Sequence, residues 1–223
     1  MTSRTLKSTR PWKQGRINTR DALIRCGLEL LTEKGFQATG LEEILKRAGV
    51  PKGSFYHYFP SKDEFGFALI EGYAAYLEGR QDRYLLDESV PPLIRLVNFV
   101  KSVKRSMARY NFARGSLLGN LAQEMGALNE AYRDKLEAVF IDLEGRFARC
   151  LEDAKARGDI PKQTDVMREA TVFSMGWEGA ILRAKLMRSN EPLDLFVSFF
   201  LRSLGARGAA AARLLSKSDG LEG

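Results

Sequence analysis

Glycines, prolines and side-chain caps cut this 223-residue chain into successive segments with helical spacing. No stretch sustains the period-two alternation of a strand between hairpin turns. The pattern predicts an all-α fold. Asn18 and Asp21 signal a first helix over 18–34, with Leu23, Ile24, Leu28 and Leu31 at helical spacing and Gly35 as its stop. A short helix then runs through Ala48, and two starts compete for it: a capping box from Thr39 to Glu42, or Gly40 as cap with Glu43. Gly49 ends that helix, and Pro51 suits the first position of a third one ending near Pro60, with Phe55 and Phe59 on one face. Ser61 to Glu64 forms a further capping box that opens a long helix carrying Phe65, Leu69, Tyr73 and Tyr76. Beyond Pro91-Pro92 the periodicity predicts helices over roughly 92–110, 116–127, 129–157, 165–188 and 192–206, with short connections that make neighbours antiparallel.

A chain of this length is long enough to bury a substantial core, and its 44% hydrophobic and 28% charged content is globular. No apolar run approaches the roughly 18 to 20 residues that cross a bilayer, which excludes a membrane-spanning protein. The polar first 20 residues lack the apolar stretch of a signal peptide, so a cytoplasmic location is expected. Cys26 and Cys150 lie in helical stretches with no C-x-x-C spacing, and the chain has one histidine, so no metal site and no cofactor are expected. Two readings stand for the thiols: buried small hydrophobes, or redox sensors.

The formal charge of +7 is concentrated at one end. Residues 1–63 hold 12 Lys+Arg against 6 Asp+Glu, a balance of +6, which leaves +1 for the rest. Residues 1–17 read either as a flexible basic arm lying along a polyanion or as a solvated tail, and 207–223 as a flexible Gly/Ala-rich tail.

Two short helices separated by Gly49-Val50-Pro51 and braced on both sides are the arrangement of a helix-turn-helix, here spanning 18–63. In Lys52-Gly53-Ser54-Phe55-Tyr56-His57-Tyr58, nearly every side chain not needed for packing donates a hydrogen bond or stacks on a base or sugar. Gly53 lowers helix stability, a sacrifice that suits close approach to phosphates. Lys62 brings a cation and free N–H groups to the same side. Enzyme chemistry is not expected: His57 is taken by the helix that reads DNA, and there is no G-x-S-x-G or phosphate-binding loop.

The run from Gly35-Phe36-Gln37-Ala38-Thr39 through Glu43 to Lys62 resembles the TetR/AcrR family of bacterial transcriptional regulators. The resemblance implies that the third helix is the recognition helix. It sets Lys52, Gly53, Ser54, Tyr56, His57 and Tyr58 toward DNA, Thr39 and Lys62 against phosphates, and Phe55 and Phe59 in the core. It also implies about nine helices and a homodimer whose C-terminal part, here 64–206, dimerises and encloses a small-molecule pocket.

In the effector half, Asn120 and Glu124 share a face beside Leu117, Leu121 and Met125, while Glu178 and Lys185 lie seven apart beside Phe173, Trp177, Ala180 and Ala184. Either these polar groups orient a ligand, or the small residues permit tight helix packing and Glu178 with Lys185 forms an interface pair. The runs Gly119-Asn120-Leu121 and Trp177 to Lys185 are similar to a subgroup of the family that responds to acrylate or reactive electrophiles. On that basis Asn120, Glu124, Trp177, Glu178, Ile181 and Lys185 are the expected effector contacts. Members of the subgroup commonly carry a cysteine after the glycine matching Gly115; here it is Ser116, which favours reversible binding over thiol chemistry. The last helix, with Leu193, Leu195, Phe196, Val197, Phe199, Phe200, Leu201 and Leu204, is apolar nearly all round and needs a cover, most simply a second subunit. The expected function is a homodimeric repressor released from a pseudo-palindromic DNA operator by a small effector such as an acrylate-like acid or electrophile. The alternative is a constitutive or architectural DNA binder.

Overall fold

The structure, a computed structural model, describes residues 18–206. The basic arm and the Gly/Ala-rich tail lie outside the described residues. Nine α-helices and no strand occur among the described residues: α1 (Thr19–Lys34), α2 (Leu41–Ala48), α3 (Lys52–Tyr58), α4 (Lys62–Leu85), α5 (Pro92–Arg109), α6 (Leu117–Met125), α7 (Glu130–Ala156), α8 (Val166–Met187) and α9 (Glu191–Ser203). Their ends are set by chemistry visible in the sequence. Asn18 Oδ1 accepts the Arg20 N–H at 2.6 Å, and Ser61 Oγ accepts the Glu64 N–H at 3.1 Å. Gly49 closes α2 in the left-handed region at φ 69°, where a side chain would be strained.

Of the two competing starts for α2, the Gly40 cap is the one formed, with Leu41 as the first helical residue. Thr39 does not cap: its hydroxyl donates instead to the Gly35 carbonyl at 2.6 Å, satisfying the end of α1. Glu43 reaches back to Lys34 in an exposed ion pair of 2.5 Å.

Two hydrophobic clusters form. The first joins α1, α2 and α3 to the start of α4, and it also takes Leu117, Leu118, Leu121 and Met125 from α6 and Tyr132 and Leu136 from α7. The second joins α5, the C-terminal half of α7, α8 and α9, with Phe147, Phe173, Trp177 and Phe200 in mutual contact. α4 and α7 pack on one another and run through both clusters. Tyr132 is one joint between them: its ring meets Phe36 and Phe67, its hydroxyl donates to the Asp63 carbonyl, and Gly66 lacks the Cβ that would collide with it.

The apolar circumference expected for α9 is divided. Leu193, Val197, Phe200 and Leu201 are buried within the subunit, while Leu195 and Phe199 stay exposed. Met175, Leu182 and Leu186 of α8 are exposed as well. Of the α8 glycines, Gly176 is packed against the Phe196 ring of α9, whereas a side chain at Gly179 would meet open space. No helix among the described residues is long and apolar enough to cross a membrane.

Candidate nucleic-acid interface and cavity

α3 is only seven residues long, too short to be stable alone, so its orientation comes from two buried rings. Phe55 is 0% exposed, and it meets Phe59 and Phe65 at ring separations of 5.4 and 5.3 Å. With that face anchored, the opposite face is presented outward: Lys52, Gly53, Tyr56 and His57 are exposed, with Tyr56 at 52%. Ser54 is half-buried. Tyr58 also is half-buried, packed against the first cluster with its ring edge-on to His57, so it divides its surface between core and solvent rather than facing outward as expected. A side chain at Gly53 would meet nothing within 4 Å. Nothing inside the subunit therefore demands glycine at that position.

Lys62, in the first turn of α4, is exposed with its ammonium 4.5 Å from the Phe36 ring centre. Thr39, expected against phosphate, is 1% exposed and commits its hydroxyl proton to Gly35. Its side chain belongs to the α1–α2 turn.

Behind this unit lies a cavity of about 360 Å³. α1 supplies part of its wall through Leu28, Glu29 and Thr32, α4 through Tyr73, Tyr76 and Arg80, and α5, α7 and α8 through Phe99, Phe147, Phe173, Trp177, Glu178 and Ile181. The α5–α6 connection closes one side with Tyr110, Arg114, Gly115 and Ser116. Asn111 and Phe112 hold that connection in the left-handed region at φ 50° and 56°, an uncommon conformation for residues with side chains.

Charge in the cavity is unevenly matched. Burial raises the Glu178 carboxyl well above the usual carboxylate range, to about 7, against a hydrogen bond from Ser116 that acts the other way. Burial and then Glu178 raise the neighbouring Tyr73 hydroxyl. Arg114 stacks on Tyr110 at 3.9 Å and pairs with Glu33 at 3.0 Å and Glu29 at 3.6 Å. Arg80 lies over Tyr76 and donates to its hydroxyl, with no carboxylate partner among the described residues.

Of the six expected effector contacts, Trp177, Glu178 and Ile181 line the cavity. Asn120, Glu124 and Lys185 do not; Asn120 and Lys185 turn to the C-terminal end of α1, and Glu124 to the loop that follows it. Asn120 Nδ2 donates to Leu31 O at 3.1 Å, Glu124 accepts the N–H groups of Phe36 and Gln37 at 3.1 and 2.6 Å, and Lys185 Nζ donates to Thr32 O and Glu33 O at 3.1 and 2.8 Å. A helix end leaves carbonyls without intrahelical partners, and Lys185 satisfies two of them. Glu178 and Lys185 form no pair with each other. Sequence reasoning missed Arg80, Tyr110 and Arg114: Arg80 pairs with Tyr76 and Arg114 with Tyr110 four positions away, but the walls that make them part of a cavity come from segments distant in the chain.

Cys26 and Cys150 are both free and buried. Burial pushes both thiols up, Cys150 to about 12, so neither carries appreciable thiolate at neutral pH. No group of three or more metal-ligating side chains occurs among the described residues.

Comparison with known proteins agrees with this geometry. Residues 23–69 match the family described as "Bacterial regulatory proteins, tetR family", and residues 92–200 match "Tetracyclin repressor-like, C-terminal domain". The chain is 48% identical to the transcriptional regulator AcuR of Cereibacter sphaeroides, over 83% of this chain and 85% of that one. It is 31% identical to the HTH-type transcriptional repressor DhaR of a Mycobacterium species, over 85% and 93% of the two chains. Among solved structures, a regulatory protein TetR from Rhodobacter sphaeroides superposes with a TM-score of 0.80 at 48% identity, covering 82% of this chain and 97% of the other. The chain belongs to the TetR family of DNA-binding transcriptional regulators.

Proposed function

We propose that the protein is a homodimeric repressor that sets the outer face of α3 into the major groove at each half of a pseudo-palindromic operator, and that a small effector in the cavity releases it. Lys52, Gly53, Ser54, Tyr56, His57 and the exposed edge of Tyr58 are the contacts to the duplex, with Lys62 on a phosphate. The exposed apolar side chains of α8 and α9, among them Leu182, Leu186 and Phe199, form the seam with the second subunit, because two such helices from each subunit make a four-helix contact. Two-fold dimers of this kind address half-sites about 34 to 36 Å apart or a multiple of that.

The observation that carries the effector reading is that one cavity is walled both by α1 of the DNA-reading unit and by the helices of the C-terminal half. A ligand there touches the element whose position sets α2 and α3. Its chemistry is that of a small acid or another acrylate-like molecule. Arg80 offers a guanidinium with no carboxylate partner among the described residues, and Glu178, its carboxyl raised by burial to about 7, offers a proton to a ligand carboxylate. Ser116 caps α6 by accepting the Gly119 N–H at 3.2 Å. A hydroxyl engaged in this way supports reversible binding rather than covalent capture.

The test is a titration of protein bound to operator duplex, taken from genome-wide mapping of its sites, with sodium acrylate and related short acids. A coupling of about 1 to 3 kcal/mol lowers operator affinity 5- to 150-fold. Operator affinity that no such acid changes leaves the alternative, a constitutive DNA binder.

A further inference from the structure

The cavity is roomier than a short acid requires. At about 30 Å³ of liquid volume per water, its volume of about 360 Å³ holds about a dozen waters, or as many ligand atoms other than hydrogen. Acrylate has five. A ligand of that size leaves more than half of the space to water, held against apolar side chains, and water of this kind is displaced by an apolar group with a gain in affinity.

The wall decides which shape displaces it. Phe147 stacks on Phe173 with ring centres 4.1 Å apart and planes 18° from parallel, and Phe173 stacks on Trp177 at 5.5 Å and again 18°. All three rings line the cavity, so a run of nearly parallel aromatic faces extends along it from α7 to α8. A flat ring meets such faces in the offset geometry that aromatic pairs prefer. A flexible chain covers the same area but loses rotamer freedom on binding.

A cation ready for an anion lies at the same level. Arg146 of α7 pairs with Glu78 and Asp82 of α4 at 3.0 and 3.1 Å, which sets Arg80, between those two in sequence, level with Phe147. Arg114 is spent on Glu29 and Glu33. The Arg80 guanidinium donates to the Tyr76 hydroxyl and has no carboxylate partner among the described residues. With five N–H donors it keeps enough for a bidentate carboxylate.

We propose that the cavity takes a planar aromatic acid, with its ring added to the stack of Phe147, Phe173 and Trp177, its carboxylate clamped by Arg80, and ring and acid joined in one conjugated plane as in 3-phenylpropenoate. This rests on the reading of the cavity as the effector site and narrows the acrylate-like class to members with an aryl substituent. Acrylate itself is the fragment that meets Arg80 and leaves the stack bare.

Calorimetric titration of the full-length protein without DNA is the test. The probes are sodium acrylate, 3-phenylpropenoate, the amide of the latter, and nonanoate, which matches 3-phenylpropenoate in atoms other than hydrogen but has no flat ring. 3-Phenylpropenoate is expected to bind at least a hundredfold more tightly than acrylate and at least tenfold more tightly than nonanoate. Arg80→Gln is expected to weaken 3-phenylpropenoate at least tenfold and to leave the neutral amide unchanged. In full-length Trp12→Phe, where Trp177 is the one tryptophan left, 3-phenylpropenoate is expected to quench the emission.

Acrylate binding as tightly as 3-phenylpropenoate overturns the proposal on the parent protein alone, whatever becomes of the variants, and so does nonanoate binding equally well. Heat of binding without any change in Trp177 emission places the ligand elsewhere and overturns it too. If 3-phenylpropenoate binds as expected but neither it nor the short acids alter operator affinity, the effector reading is refuted and the aromatic acid keeps its place in the cavity.

Discussion

The outer face of α3 and the cavity behind α1 are built by opposite means. α3 is a seven-residue helix anchored by Phe55 and Phe59, so that Lys52, Gly53, Tyr56 and His57 stand in water. The cavity is assembled from α1, α4, α5, α7 and α8, and its polar groups are withdrawn from water so far that a carboxyl there titrates near 7. A surface that reads a duplex gains from side chains already pre-positioned, since phosphate contacts fix its register and base contacts read the sequence. A cavity that senses a small molecule gains from groups left poorly solvated, because those respond most to an incoming ligand.

The comparison is broken most severely at the anchor. Phe55→Ala leaves a large void beneath α3 and is expected to lower stability by about 3 to 5 kcal/mol, as measured by chemical denaturation. A loss under about 1 kcal/mol would mean that α3 does not depend on its buried ring.

A smaller effect sharpens the account of the cavity. Because the folded protein holds the Glu178 proton to about pH 7 while an unfolded carboxyl releases it near 4.5, the native state binds more protons in that window and stability falls as pH rises through it. Glu178→Gln removes this dependence. Relative to the parent protein, the variant is expected to gain about 1 to 3 kcal/mol on going from pH 5 to pH 8, and denaturation curves at the two values check it. A constant difference would place the carboxylate in contact with bulk water.

The two regions also differ in how much of them is legible in sequence. α3, its turn and its anchors follow from residues within about fifteen positions of one another: Gly49 for the left-handed cap, Pro51, expected as the first helical residue and found one position earlier as the cap, and Phe55 and Phe59 one turn apart. Local chemistry of this kind survives folding unchanged. Thr39 is the exception, because its hydroxyl had two acceptable uses and the carbonyl of Gly35 took it.

In the C-terminal half the helices themselves are equally legible, but side-chain destinations are not. Asn120, Glu124 and Lys185 carry the signature of polar groups beside an apolar stripe, yet their partners are backbone atoms of α1 and of the loop after it, some 90 to 150 positions earlier in the chain. Arg80 and Arg114 each sit four positions after a tyrosine, Tyr76 and Tyr110, but nothing local shows that these pairs line a cavity. Asn111 and Phe112 turn the chain without the glycine that would have announced a left-handed bend. α9 shows the same limit: its apolar residues are plain in the sequence, but which of them face the subunit and which face outward is decided by how α8 lies across it.

The most direct measurement of the central claim, that the outer face of α3 approaches DNA closely, is the paired stability and operator affinity of Gly53→Ala. Alanine in place of glycine in a helix leaves stability unchanged or raises it by up to about 1 kcal/mol, and there is open space for the methyl group. The account predicts that such a fully folded variant binds its operator at least tenfold more weakly, because the added methyl stands where the duplex must come. Operator affinity retained in that variant would contradict it.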